Sequence, residues 1–210
     1  MQVLLNTARL RLRPVEAGDA GLLVDLDSDP EVMRFVSGGP ATPPAVITDS
    51  VIPRMQAQQR EYGTGMWVLF DTAATGAQAD PGESAFTGWV QLRTPRHSRS
   101  GELELSYRLR RAAWGRGLAR EASAALVAVM FTSSPVRRIF AGTDVDHLAS
   151  RRVMEALGMR LAADSDPAAL AGPGASVEYE LLREQWYAGR GRGGRVIKTA
   201  GSASTSGMTA

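Results

Sequence analysis

The chain has 210 residues, 44% hydrophobic and 22% charged, with no cysteine. That is enough apolar material for one core, and it excludes disulfides and thiolate metal sites. The formal charge is +2 and the pI near 9.4, but the excess is local: from Gly189 onward the chain carries Arg190, Arg192, Arg195 and Lys198 and no acid, leaving 20 basic against 22 acidic residues elsewhere.

A basic tail with few aromatics argues against nucleic-acid binding. The opening residues lack a long apolar run and a small-residue cleavage site, so neither a signal peptide nor a membrane span is predicted and the cytoplasm is the expected location.

In chain order, Thr7 to Val15 alternates, with Leu10 and Leu12 on one face and Arg9, Arg11 and Arg13 on the other, which predicts a half-buried strand. Asp19 caps a short helix carrying Leu22, Leu23 and Leu26. Asp29-Pro30 caps a second, before Val32, Met33 and Val36. Thr42-Pro43 opens a third helix to about Tyr62, with Pro53 predicting a kink or two pieces. Gly65 to Phe70 reads as a buried strand, Asp71 to Ser84 as a mobile hairpin loop, Ala85 to Arg93 as the next strand and Thr94 to Gly101 as a polar turn, with His97 at the surface.

A fourth strand, Glu102 to Leu109, runs into Trp114-Gly-Arg-Gly-Leu-Ala119 and then into an apolar series at helical spacing, Leu118, Ala122, Ala125, Leu126 and Val129. Strand, glycine turn and helix in that order set unpaired backbone N–H groups and a dipole's positive end at one spot, an anion site. Gly115 and Gly117 let the chain come close to a phosphate, and Arg116 adds a charge. Taken alone, the pattern also fits a plain turn before a core helix. Arg120 stands where the third glycine of a dinucleotide fingerprint would be.

Beyond Ser133-Ser134-Pro135, a strand is predicted over Arg138 to Val145. A helix opened by Asp146 or His147 follows, with Ala149, Val153, Ala156 and Leu157 on one face and Gly158 as its C-cap. Met159 to Ala163 is a strand, Asp164 to Ala175 a loop and Val177 to Leu182 the last strand. One domain over 1–188 is expected, with a disordered Gly/Ser-rich tail over 189–210. The order of elements predicts a mixed α/β sheet of about seven strands.

Three segments resemble the GNAT superfamily of acetyl-CoA-dependent N-acetyltransferases, most closely its RimJ/RimL-like group, over roughly Thr7 to Trp186. Glu104 through Ala122 resembles the acetyl-CoA signature, its core read here as Trp114-x-x-Gly117-x-Ala119 with Trp in place of Gln or Arg. Asp146 through Met159 resembles the group's Asn-x-x-Ser…Leu-Gly-Phe segment, and Val177 to Leu181 with Trp186 its closing strand.

The resemblance implies a mostly antiparallel twisted sheet with splayed central strands and flanking helices. Pantetheine would pair with the fourth strand around Tyr107 and Leu109. The diphosphate would rest on the amides of Gly115, Arg116, Gly117, Leu118 and Ala119 beside Trp114, with His147 and Ser150 near the pantetheine arm. Trp67, Trp89 and Trp114 read as core or rim packing, and by position Met33, Phe35 and Trp67 would line the acceptor pocket. The implied cofactor is acetyl-CoA with no metal, the implied partner an amine acceptor (a small molecule or a protein N-terminus), and a homodimer is the assembly common among relatives.

Acetyl transfer to an amine needs a neutral nucleophile, donors for the oxyanion and a proton for the departing thiolate. A strand N–H near Leu105 to Tyr107 would serve the oxyanion. Glu104 is the first candidate base, acting through a water, and Glu102, on the same face, the second. Both also read as solvated strand carboxylates. The family's usual tyrosine falls on Met154, which cannot donate, so Ser150, one helical turn earlier, is the candidate donor or thiol-orienting group. It also reads as a helix-start hydroxyl. His147 stands at the family's Asn position and can still donate a hydrogen bond. Glu121 reads as a helix-face charge. The reading is direct attack without a covalent enzyme intermediate, and the alternative is a catalytically silent acyl-CoA-binding module.

Overall fold

The computed structural model describes residues 4–74, 85–95, 101–162, 165 and 175–190. The strands are β1 (Leu5–Asn6), β2 (Leu10–Pro14), β3 (Gly65–Asp71), β4 (Phe86–Arg93), β5 (Glu102–Leu109), β6 (Arg138–Asp144), β7 (Arg160–Leu161) and β8 (Ser176–Leu182). They form one sheet in the order β1-β2-β3-β4-β5-β6-β8-β7. The β5–β6 pair is parallel and the other pairs are antiparallel. The helices are α1 (Ala20–Asp27), α2 (Pro30–Ser37), α3 (Pro44–Val46), α4 (Ile52–Tyr62), α5 (Leu118–Ser133), α6 (Leu148–Ala156) and α7 (Arg183–Arg190).

Two cores lie on opposite faces of this sheet. On one face α5 and α6 cover Leu10, Leu12, Trp67, Leu69, Leu103, Leu105 and Leu109, with Phe131 at the centre. On the other, α1, α2 and α4 cover Met66, Val68, Phe70 and Trp89. The alternation along β2 and β5 sets which side chain goes to which face. β3 is buried on both faces along its whole length.

Several local expectations change. Residues 5 and 6 form an extra strand, and β2 begins only at Leu10 because Thr7 turns the chain, its amide donating to the Leu10 carbonyl and its hydroxyl oxygen accepting from the Leu10 amide. Asp19 does not cap α1 through its side chain. Its carboxylate accepts from the Glu16 amide and from Arg13, whose Nη2 lies 2.6 Å away. Asp29 does cap α2, accepting from the Glu31 amide at 3.0 Å.

The third helix comes in pieces: α3, a π-helical turn over Ile47–Val51, then α4. The wide turn stands immediately before Pro53, whose ring leaves no room for a normal i−4 carbonyl. The last helix, α7, runs to Arg190, into the start of the expected tail, and Trp186 packs on Phe131 with ring centroids 5.6 Å apart. Of the loop expected over 71–84, Asp71 ends β3 and Thr72–Ala74 form a 3-10 turn; residues 75–84, most of the turn with His97, most of the 164–175 loop and residues 191–210 of the tail lie outside the described residues.

Candidate active site

β5 and β6 pair only from Glu102↔Arg138 to Glu104↔Phe140. Beyond that point β5 keeps its antiparallel partner β4 as far as Gly88↔Leu109, while β6 keeps β8. The two central strands therefore diverge, leaving an unpaired edge along the second half of β5, a row of backbone groups that an extended ligand can use.

Tyr107 and Leu109 lie on this divergent part, as expected. Tyr107 reaches across the gap: its phenol donates to the Ser150 carbonyl at 3.0 Å and stands 3.0 Å from Ser150 Oγ. Burial pushes the Tyr107 phenol up to about 12, the Ser150 bond opposing, so it keeps its proton through the neutral range. Ser150 is buried on the first turn of α6. The Leu109 carbonyl accepts from the Trp114 indole N–H at 2.8 Å, and Trp114 is otherwise half exposed, a rim residue rather than a core one.

The glycine turn follows. Gly115 and Gly117 have φ of 69° and 75°, left-handed values that cost other residues about 1–2 kcal/mol. Among the described residues, the Gly115, Arg116 and Gly117 amides donate to no backbone acceptor outside the helix. Leu118 and Ala119 form the first turn of α5, where amides lack intrahelical partners. A Cβ on Gly115 would meet nothing within 4 Å. Open space, unspent amides and a helix N-terminus fit a coenzyme diphosphate. Arg116, however, is not a free cation: its guanidinium pairs with Asp71 at 2.6 Å.

Glu121, read as a helix-face charge, is instead bound by the Thr7 hydroxyl at 2.6 Å, the Arg9 amide at 2.9 Å and Arg9 Nε at 2.7 Å. Burial acts to raise its pKa, but these donors outweigh it and hold the carboxyl below its ordinary value. Sequence reasoning missed this junction. The available signal was an acid in the first turn of a helix whose N-terminus is to hold an anion, which calls for a neutralising cation nearby.

On the opposite face of β5, Glu104 pairs with Arg93 at 2.6 Å and Glu102 lies 3.7 Å from Arg138. Both stand at the closed end of the divergence. Arg138 is further held by Glu178 and Glu180, each at 2.6 Å. Arg108 pairs with Asp27 and lies over the Trp89 ring, 5.0 Å from its centroid.

The three acceptor-pocket candidates separate. Phe35 is partly exposed and stacks on His147, with centroids 4.2 Å apart and planes 10° from parallel. That contact joins α2, on one face of the sheet, to the start of α6, on the other. Met33 is 1% exposed and Trp67 0%. Trp67 sits in the α5-side core and cannot line an acceptor pocket, and Met33 presents almost no surface to one. Met154 is likewise buried in that core.

Burial lowers the His147 pKa below its usual 6.5, Asp144 acting the other way. The folded chain therefore resists protonation more than the unfolded one does, and stability falls as pH drops from about 6.5 toward the folded pKa. Thermal melts of wild type and His147→Asn at about pH 7 and pH 5.5 test this. The wild type should lose more Tm than the variant, and equal losses would refute it.

Among the described residues no group of three or more metal-ligating side chains occurs, and no helix is long and apolar enough to cross a membrane.

The family model described as an acetyltransferase (GNAT) domain matches residues 9–160. The chain is 28% identical over 198 residues to the FsC-acetyl coenzyme A-N(2)-transacetylase of Aspergillus fumigatus, covering 88% of this chain and 78% of that protein. Among solved structures, an acetyltransferase from Agrobacterium tumefaciens superimposes with a TM-score of 0.63 at 26% identity, covering 85% of this chain and 94% of its own. RimL, a ribosomal-protein alpha-N-acetyltransferase in complex with coenzyme A, gives 0.67 at 17% identity, covering 86% and 98%, a likeness of fold.

Proposed function

Since the chain belongs to the GNAT acetyltransferase family and is an N-acetyltransferase that uses acetyl-CoA, we propose that it acetylates a primary amine by direct attack. The acceptor is a protein N-terminus or a small-molecule amine. We place the chain in the RimJ/RimL-like branch, a reading supported by the likeness to RimL and by the Asp146–Met159 segment.

The observation that carries this reading is the divergence of β5 from β6 where β5 leads into the left-handed glycine turn. In the proposed site the coenzyme's arm lies along the free edge of β5 near Tyr107 and Leu109. Its diphosphate rests on the Gly115–Ala119 amides, and Trp114 forms the rim.

The acceptor amine loses a proton through a water to Glu104, attacks the thioester carbonyl, and the C–S bond breaks as the amide forms. The second proton that the nitrogen sheds as the amide forms goes to the departing sulfur, toward which the Ser150 hydroxyl donates a hydrogen bond, with Tyr107 holding Ser150 in place. His147, stacked on Phe35, borders the arm. The Arg93 ion pair orients Glu104, so the base acts from an existing pair.

Calorimetric titration with acetyl-CoA, followed by thiol release across a panel of amines, tests the reading. Coenzyme binding with amine-dependent release supports it, and binding without release would point to a silent module. Within the same assay, Glu104→Gln should lower kcat about 10²-fold and Ser150→Ala about tenfold. Wild-type rates in both variants would remove these two assignments while leaving the enzyme class intact.

A further inference from the structure

We propose that Arg9 is a positioning residue for the coenzyme: by holding the Arg116 carbonyl on its own side, it turns the Gly117 N–H toward the diphosphate. The inference rests on the acetyl-CoA reading of the glycine turn.

Arg9 Nη1 donates to the Arg116 carbonyl at 2.7 Å. In a trans peptide the carbonyl of one residue and the N–H of the next point in opposite directions. Fixing the Arg116 oxygen toward Arg9 therefore fixes the Gly117 N–H away from it, on the side open to a ligand. A glycine-flanked peptide would otherwise rotate readily and present its oxygen to an anion. The guanidinium also draws charge off that oxygen.

The same side chain closes a second contact. Arg9 Nε and Nη2 both lie on Glu121 Oε2, at 2.7 and 2.6 Å, and the Arg9 amide donates to Oε1. Glu121 is in the first turn of α5, so an unmatched carboxylate there would repel the diphosphate. Arg9 cancels that charge and ties the turn and the helix into one body. Asp71 holds the turn from the end of β3 through Arg116, and Arg9 holds it from the residue before β2. The cradle is thus shaped from 45 positions away by Asp71 and from 107 positions away by Arg9.

Arg9→Lys separates this role from simple charge. Lysine keeps a cation beside Glu121 but lacks the planar fork needed to reach the carboxylate and the Arg116 carbonyl together. The dissociation constant and the KM for acetyl-CoA are expected to rise about tenfold, with kcat at saturating coenzyme within about twofold of wild type and Tm within a few degrees. The shift of the Gly117 amide resonance on coenzyme addition should shrink in the variant, a readout that does not depend on stability.

A merely structural Arg9 would lower Tm and leave coenzyme affinity and the Gly117 shift as in wild type. Unchanged affinity with an unchanged Gly117 shift, while wild type binds acetyl-CoA, overturns this inference alone. A wild type that does not bind acetyl-CoA overturns the underlying reading as well.

Discussion

Replacing Gly88 with alanine is expected to destabilise the protein by at least about 3 kcal/mol, a fall in Tm of roughly 6–12 °C for a chain of this size. A Cβ there would lie 2.2 Å from the Arg108 carbonyl oxygen and 2.7 Å from the Leu109 Cα. Both are backbone atoms of the neighbouring strand, so no rotamer change can relieve the clash. The position also has φ of 144°, a conformation that side chains disfavour. Gly88 faces Leu109 in the β4–β5 ladder, and the next residue, Arg110, donates its amide to the Thr87 carbonyl. Relief by moving β5 would displace the strand end that leads into the glycine turn, so coenzyme affinity should fall along with stability. Gly142→Ala is the control, because nothing lies within 4 Å of its Cβ. Differential scanning calorimetry of the two variants decides the matter: equal melting temperatures would mean that the close approach of β4 and β5 is not rigid.

The second large effect is on binding. Gly117→Val should raise the dissociation constant for acetyl-CoA by about 10²–10³ while the fold survives. The φ of 75° is costly for any side chain and worse for a β-branched one. The turn then relaxes and its amides lose their aim, forfeiting hydrogen bonds to a charged group worth about 1.5–3 kcal/mol each. Space alone is not the issue. The nearest atom to a Cβ would be Arg9 Nη2 at 3.6 Å, an ordinary contact. Glycine is thus needed mainly for backbone conformation, with close approach to a phosphate a secondary role. Titration calorimetry alongside a circular-dichroism melt separates the two effects, and a folded variant with undiminished affinity would remove the diphosphate from this turn.

How much of this was readable beforehand follows from how far each signal travels along the chain. The helices α2 and α5, the alternating β5 and the glycine turn rest on short-range patterns of capping, periodicity and conformation, and they appear where expected. The two-residue β1 carries no periodicity to read, whereas β7 falls inside the strand expected over Met159 to Ala163, though shorter. Trp67 takes its core reading and not its acceptor-pocket one; Met66 to Phe70 is an unbroken apolar run, buried on both faces, so nothing in it says which side each residue takes. The face of Glu104 was legible from alternation. Its Arg93 partner depends on the β4–β5 register, a pairing between strands that the alternation within one strand does not specify. Arg9 looked like one of three equivalent solvent-facing arginines. Its contacts with Arg116 and Glu121 appear only once β2 lies beside the start of α5.

The link between Tyr107 and Ser150 bears on how the coenzyme arrives. Two strands that part company would ordinarily flex against each other. Here the phenol fastens one to the helix that follows the other, and the Phe35–His147 stack adds a second fastening. A slot braced in this way is already formed before anything enters it. Little ordering entropy is then spent when the ligand arrives, and free and occupied forms should superimpose closely along β5 and α6.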